Sequence, residues 1–176
     1  MIRTLLLLLL SFCLLTLYAV ANDKPRLYEE MYPEIGYKSV EGAWDDFEQH
    51  FKQKLKLPLR VPPIIFTHQF GRLNDLEGDL NDSFEVTFIN DQLSENHFKI
   101  EVRPVEHKIE FSDKVVLKTF KLDNGNTAKY MEKPIPGFNL LEFERDRWQY
   151  VFSIVKKVSD RITPEILVQI ANSIDF

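Results

Sequence analysis

Read as a pattern of apolar and polar positions, the chain opens with an almost unbroken apolar run from Leu5 to Val20 and only then becomes periodic. From residue 39 a three- and four-residue spacing sets in. Val40, Ala43, Trp44, Phe47, Phe51 and Leu55 fall on one side of a helix, and Ser39 offers an oxygen to cap its start. Acidic residues come early (Glu41, Asp45, Asp46, Glu48) and lysines late (Lys52, Lys54, Lys56), the order that suits the helix dipole. The spacing therefore predicts an amphipathic helix to about Lys56, stopped by Pro58. Pro58, Pro62 and Pro63 then impose an extended linker. Beyond it the period changes to two, and seven β-type runs follow at 64–70, 83–90, 97–103, 114–122, 127–131, 138–143 and 148–155. Alternation is clearest where Phe84, Val86, Phe88 and Phe98, Ile100, Val102 oppose Glu85, Thr87 and Lys99, Glu101, Arg103. Such strands are expected to put one face on a core and leave the other wet. The stretch Asp123, Asn124, Gly125, Asn126 signals a hairpin, and Glu144, Arg145, Asp146 the next turn. At the end, Thr163 and Pro164 start a helix whose stripe is Ile166, Leu167, Ile170 and Ile174. Residues 22–38 hold no sustained period and are expected to form an irregular lead-in. The fold class predicted is α+β: an N-terminal amphipathic helix on a curved antiparallel meander sheet, closed by a short C-terminal helix, in a single domain over 39–176.

The opening run bears on where that domain works. Arg3 is its charged flank, and Ala19, Val20, Ala21 form a small-residue cleavage pattern before Asn22, so residues 1–21 read as a signal peptide and the rest as secreted or extracytoplasmic. Left uncleaved, the run is long enough to anchor the chain across the roughly 30 Å core of a bilayer. Lipid attachment does not fit, because Cys13 lies behind the bulky Phe12. Cys13 is also the only cysteine, which leaves the domain without a disulfide, a Cys-ligated zinc or a Cys nucleophile. With 22 basic and 27 acidic residues the net charge is −5, and it becomes −6 when Arg3 leaves. No basic stripe interleaved with aromatics occurs, so nucleic acid is excluded as a partner.

Candidate chemistry is sparse. Residues 74–82 are rich in hard oxygen ligands, yet counting from Asp75 puts Gly78 fourth and Val86 twelfth, which breaks the EF-hand register. His68, His97 and His107 lie on or beside neighbouring runs without a metal-ligand spacing; His97 falls on the polar side of its strand. His68 shares an alternating apolar face with Ile64, Phe66 and Phe70, as a core histidine does, and His50 lies near the helix seam. There is no G-x-S-x-G elbow and no Gly-rich phosphate loop, and the carboxylate pairs Asp45/Asp46 and Glu142/Glu144 read as charged surface. No catalytic, cofactor or metal residue is assigned, and the chain reads as a non-enzyme. Aromatic side chains instead outline an apolar groove between helix and sheet: Trp44, Phe47, Phe51, Phe66, His68, Trp148 and Tyr150. The function expected is a binding or interaction module of the cell envelope, taking a protein, peptide or lipid through that groove or a sheet edge. The alternative is an exported enzyme or metal-dependent protein that uses the 74–82 loop or the histidines.

The last third carries a resemblance. The Asp-Asn-Gly-Asn turn, Phe138, Leu140, Leu141 and Phe143, then Arg147, Trp148, Gln149 and Tyr150, and the closing stretch from Thr163 through Ile174 are similar to the carboxy-terminal part of a family of exported bacterial domains. That family is itself similar to the half-barrel of LolA-type lipoprotein carriers. The resemblance implies a curved sheet wrapped around a helix and an extracytoplasmic place, and no catalytic motif. A matching amino-terminal half of a carrier is missing.

Overall fold

The structure is a computed structural model that describes residues 27–75, 81–132 and 134–174. The expected signal peptide, 1–21, and most of the acidic loop lie outside the described residues. Contacts divide the chain into Met1–Met31 and Tyr32–Phe176. In the first unit Glu30 and Met31 donate their N–H groups to the carbonyl of Leu27 at the start of a helix. The second unit holds the sheet and its helices.

The lead-in departs from expectation. A seven-residue helix, α1 (Tyr28–Glu34), forms within it. Gly36, at φ 88°, ends it: the Gly36 N–H reaches Pro33 O at 3.1 Å and the Tyr37 N–H reaches Tyr32 O at 3.0 Å, the paired bonds of a left-handed helix stop that glycine permits. The amphipathic helix α2 (Val40–Phe51) starts where predicted, with Ser39 Oγ accepting from the Gly42 N–H. It stops well before Pro58, because Lys52 takes a left-handed conformation at φ 54°. The proline-rich strap that follows includes residues 64–67, and β1 (His68–Asn74) begins four residues later than the apolar run suggested.

The other six strands coincide with the predicted runs: β2 (Ser83–Ile89), β3 (His97–Pro104), β4 (Val116–Lys121), β5 (Thr127–Glu132), β6 (Phe138–Arg145) and β7 (Trp148–Val155). They form one open antiparallel sheet in the order β1-β2-β3-β7-β6-β5-β4. Two meanders, β1 to β3 and β4 to β7, therefore meet at the β3–β7 pair, where Phe98 faces Ile154 and Pro104 faces Trp148. The α+β architecture holds, with α3 (Pro164–Asn172) as the closing helix. Gly125, at φ 86°, sits in the turn between β4 and β5 as its Asn-Gly signal indicated.

Register puts Phe84, Val86, Phe98, Ile100, Val102, Leu141, Phe143, Tyr150, Phe152 and Ile154 on one face, all buried in the main core. Helix α2 lies over β1 and β2 and α3 over β6. Between them runs the strap, held to the end of α3 by Leu59 N–H to Ser173 O and Arg60 N–H to Ser173 Oγ, 3.3 and 3.2 Å. Helix and sheet touch at Gly71, whose missing side chain leaves room for Ala43 and the Val40 backbone. Lys38 bridges to Gly71 through two backbone bonds of 2.8 and 2.9 Å, and so covers part of the β1 edge.

The opposite face is not simply wet. Residues between β3 and β4 cross it, and Phe111, Val115 and Val116 cover a second small core of Met131, Leu140 and Val151. Gln149, fully buried, clamps this crossing by accepting from the Ile109 N–H at 2.8 Å and donating to the Ile109 carbonyl at 2.9 Å. Glu85, Thr87, Glu142 and Ser153 are buried on the same face. Among the described residues no helix is long and apolar enough to cross a membrane.

Candidate functional site

Much of the groove expected between α2 and the sheet is filled by its own lining, and a cleft of about 240 Å³ remains at its end, where Phe51 and Trp148 meet Gln53 and Pro104. Phe47 is fully buried, and its ring lies 4.6 Å from Phe51 and 4.9 Å from Trp148, with Phe51 and Trp148 5.4 Å apart. Trp148 donates to Lys54 O at 3.3 Å and Tyr150 to Lys56 O at 2.8 Å, so the strap seals the seam. Tyr150 stacks on Phe143 at 5.2 Å, and Phe66 meets Phe88 at 5.7 Å. Trp44 is half-buried and donates to Glu48 at 3.1 Å. His68 parts from this set altogether. Pairing with β2 sets His68 opposite Ile89 and Phe70 opposite Thr87, so both point away from the main core, and His68 lies parallel to Phe70 and is bonded to Thr67 Oγ1 at 2.7 Å.

That opposite face carries a cleft of about 300 Å³. One wall is Tyr32 and Tyr37. The turn at Gly36 and the Lys38–Gly71 bridge set them against β1, where Tyr32 stacks on Phe70 at 4.5 Å and meets Tyr37 edge-on at 4.9 Å. The other wall is Phe138 and the exposed Ile135, presented by the turn between β5 and β6. The floor comes from three adjacent strands: Thr87, Lys99 and Ser153 form one cross-strand row, Glu85 lies beside it, and His97 closes the end beside Phe138.

Electrostatics on this floor centre on Glu85, which is 5% exposed. It accepts a hydrogen bond from the Tyr37 hydroxyl, and it pairs with Lys99 at 3.3 Å and Arg72 at 3.5 Å. The Arg72 guanidinium lies 4.4 Å above the Tyr37 ring and donates to Ile35 O at 3.2 Å. Burial, and then the Glu85 carboxylate, push the Tyr37 hydroxyl far above its ordinary range, so it stays a neutral donor. His97 is held below its ordinary value first by burial and then by Lys99; its Nε2 is 3.0 Å from Thr87 Oγ1, and the ring adds no charge near neutral pH.

A larger and more polar cleft, about 420 Å³, lies beside the 108–111 crossing and contains Glu142. Burial raises that carboxyl against a 3.1 Å bond from Gln149 and the nearby Lys129 charge. The Glu142/Glu144 pair read from sequence as plain surface is thus half wrong: Glu142 is buried, whereas Glu144 is accessible enough to pair with Lys108 at 2.9 Å.

The histidines expected as possible ligands do not converge. His68 and His97 share one register row but are separated by Ile89. His50 instead approaches the ends of the acidic loop, with Nε2 2.8 Å from the buried Asp82 and Nδ1 4.0 Å from Asp75. One ligand atom from each lies within 4.8 Å of the others. The closest approaches use opposite ring nitrogens, so the imidazole bridges two carboxylates rather than sharing a focus with them.

The residues missed from sequence are Tyr32, Tyr37, Arg72, Glu85, Thr87, Lys99, Ile135, Phe138 and Ser153. Alternation did place Glu85, Thr87 and Lys99 on a shared polar face; nothing local showed that the tyrosines of the lead-in would cover it. In comparisons with known proteins, no family model, no curated protein and no solved structure matches the chain.

Proposed function

We propose that the chain is an extracytoplasmic binding module whose ligand site is the cleft between Tyr32/Tyr37 and Ile135/Phe138. The observation that carries this is a floor of buried polar side chains between apolar walls. Burying a polar group costs free energy unless it is bonded, and a sheet face whose task is only to meet water has no reason to sequester Glu85, Thr87 and Ser153 together. Apolar walls around a few convergent polar groups are the common form of small-ligand sites. The placement outside the membrane rests on the pattern of residues 1–21. Its facing apolar walls make this cleft a better candidate than the polar one beside the 108–111 crossing, and the packing of Phe47, Phe51 and Trp148 leaves less of the groove first outlined by the aromatics.

Native mass spectrometry of the exported chain tests the reading. The protein should begin at Asn22 and carry, or take up, a small molecule, and Ile135→Glu at the exposed rim should abolish uptake without changing the melting temperature. Full-length chain confined to the cytosol would refute the location. Uptake unaltered by Ile135→Glu and by Phe138→Ala would refute the site.

A further inference from the structure

Resting on the reading that this cleft is the ligand site, we infer that it selects amphipathic anions: a single negative head group against Lys99 and Arg72, with an apolar body between the Tyr37 and Phe138 walls. The floor has more hydrogen-bond donors than acceptors. Lys99 and Arg72 both turn to Glu85, at 3.3 and 3.5 Å, and the Tyr37 hydroxyl donates to the same carboxylate. Lys99 also reaches Glu101 at 3.6 Å, yet Glu101 is already bonded by Arg103. Three cations thus share two carboxylates, and the Nε–H groups of both Arg72 and Arg103 are buried without an acceptor. A guanidinium can use five donors and an ammonium three, so this network can accept one more anionic group with little rearrangement.

Charge sign supports the same conclusion. The network carries one net positive charge in a chain whose net charge is −5. The row Thr87, Lys99, Ser153 sets a hydroxyl on either side of the ammonium, and neutral His97 adds polarity without charge. A cationic ligand meets the opposite situation, because Glu85, the one carboxylate lining the cleft among the described residues, already has three partners. The walls are apolar or aromatic, and Ile135 at the rim is exposed, so the rest of the ligand is hydrocarbon or an aromatic ring and not a polyol.

The test compares three probes with one alkyl body and different heads: octanoate, octanol and octyltrimethylammonium. Each is titrated into the purified chain and followed by amide NMR, with calorimetry for affinity. Octanoate should shift the amides of Lys99 and Ser153 and bind at least tenfold more tightly than either other probe, with the advantage shrinking at high salt. Lys99→Met, and separately Arg72→Gln, should remove most of that advantage while octanol affinity stays within twofold; the melting temperature of each variant shows that it is folded. If octanol binds in the cleft as tightly as octanoate, or the cation binds more tightly, anion selection is wrong although the site stands. If none of the three perturbs the cleft, the site and the selectivity fall together.

Discussion

Gly71 is where the seating of α2 on the sheet can be broken by one methyl group. A Cβ built on Gly71 would lie 2.8 Å from the Ala43 Cβ, 2.8 Å from the Val40 Cα and 3.3 Å from Ser39 O. Carbon atoms prefer roughly 3.5–4.0 Å, so the shortfall is about 1 Å against two neighbours at once. One of them is backbone and cannot rotate away. Overpacking of a tight core costs about 1–3 kcal/mol, and Gly71→Ala belongs at the upper end, about 2–3 kcal/mol. For a domain of this size that corresponds to a fall in Tm on the order of 4–12 °C. Gly125→Ala supplies the control, since its Cβ meets nothing within 4 Å and only the positive φ of 86° is strained, a loss of roughly 1 kcal/mol. Ala43→Gly removes one of the two colliding atoms. Combined with Gly71→Ala it should recover part of the loss, a coupling of about 0.5 kcal/mol or more in a double-mutant cycle. Urea unfolding of the four proteins measures this. A Gly71→Ala variant within about 0.5 kcal/mol of the parent, with no coupling to Ala43, would show that α2 does not rest where described.

Three further outcomes follow from burial and charge. Phe47→Ala should lose about 3–5 kcal/mol, and half-buried Trp44→Ala clearly less; equal losses in denaturant titrations would contradict the orientation of α2. Because the folded state holds the Glu142 proton more tightly than the unfolded chain, stability from this group is complete below the ordinary value of 4.5 and is lost as pH rises through the raised one. Glu142→Gln should therefore raise the melting temperature at pH 8 and leave it nearly unchanged at pH 3.5, and an equal shift at both would count against the buried carboxylate. Deleting residues 163–176 removes the buried Leu167, Ile170 and Ile174, each contributing roughly 1.5–3 kcal/mol, and the Ser173 anchor of the strap. The truncated chain should aggregate, and a soluble product melting cooperatively near the parent would overturn the closing role of α3.

Elements were legible where one local rule dominates. Period-two alternation in Phe84 to Phe88 and Phe98 to Val102 revealed strands, and Ser39, Thr163 and Pro164 marked helix starts because cap chemistry lies within a few residues. Boundaries failed where conformation, not composition, decides. Lys52 ends α2 by a left-handed φ that its side chain does not advertise, and Ile64 and Phe66 look like strand but belong to the strap, where Ile64 N–H bonds Pro62 O at 2.8 Å. The error at His68 followed directly: Ile64 and Phe66 belong to the strap and say nothing of the faces of β1, which the pairing of Gly71 with Val86 and of Phe70 with Thr87 decides. The cleft was beyond local pattern for another reason: it joins Tyr37, Lys99 and Ser153 through pairings of distant segments, and the pairing of β3 with β7 leaves no trace in either strand's own sequence.

That pairing also governs when the sheet can exist. Each meander is made of neighbours in sequence and can form by short hairpin closures, but Phe98 and Ile154 come together only after the whole β4-to-β7 segment has been made. As a chain emerges amino-terminus first, β1, β2 and β3 stand as a three-stranded fragment with β3 as an open edge and Phe98, Ile100 and Val102 short of their partners Ile154, Phe152 and Tyr150. The seam thus delays the cooperative step until β7 has been made, and through that interval the edge of β3 stays open to pairing with another chain or to capture by a chaperone.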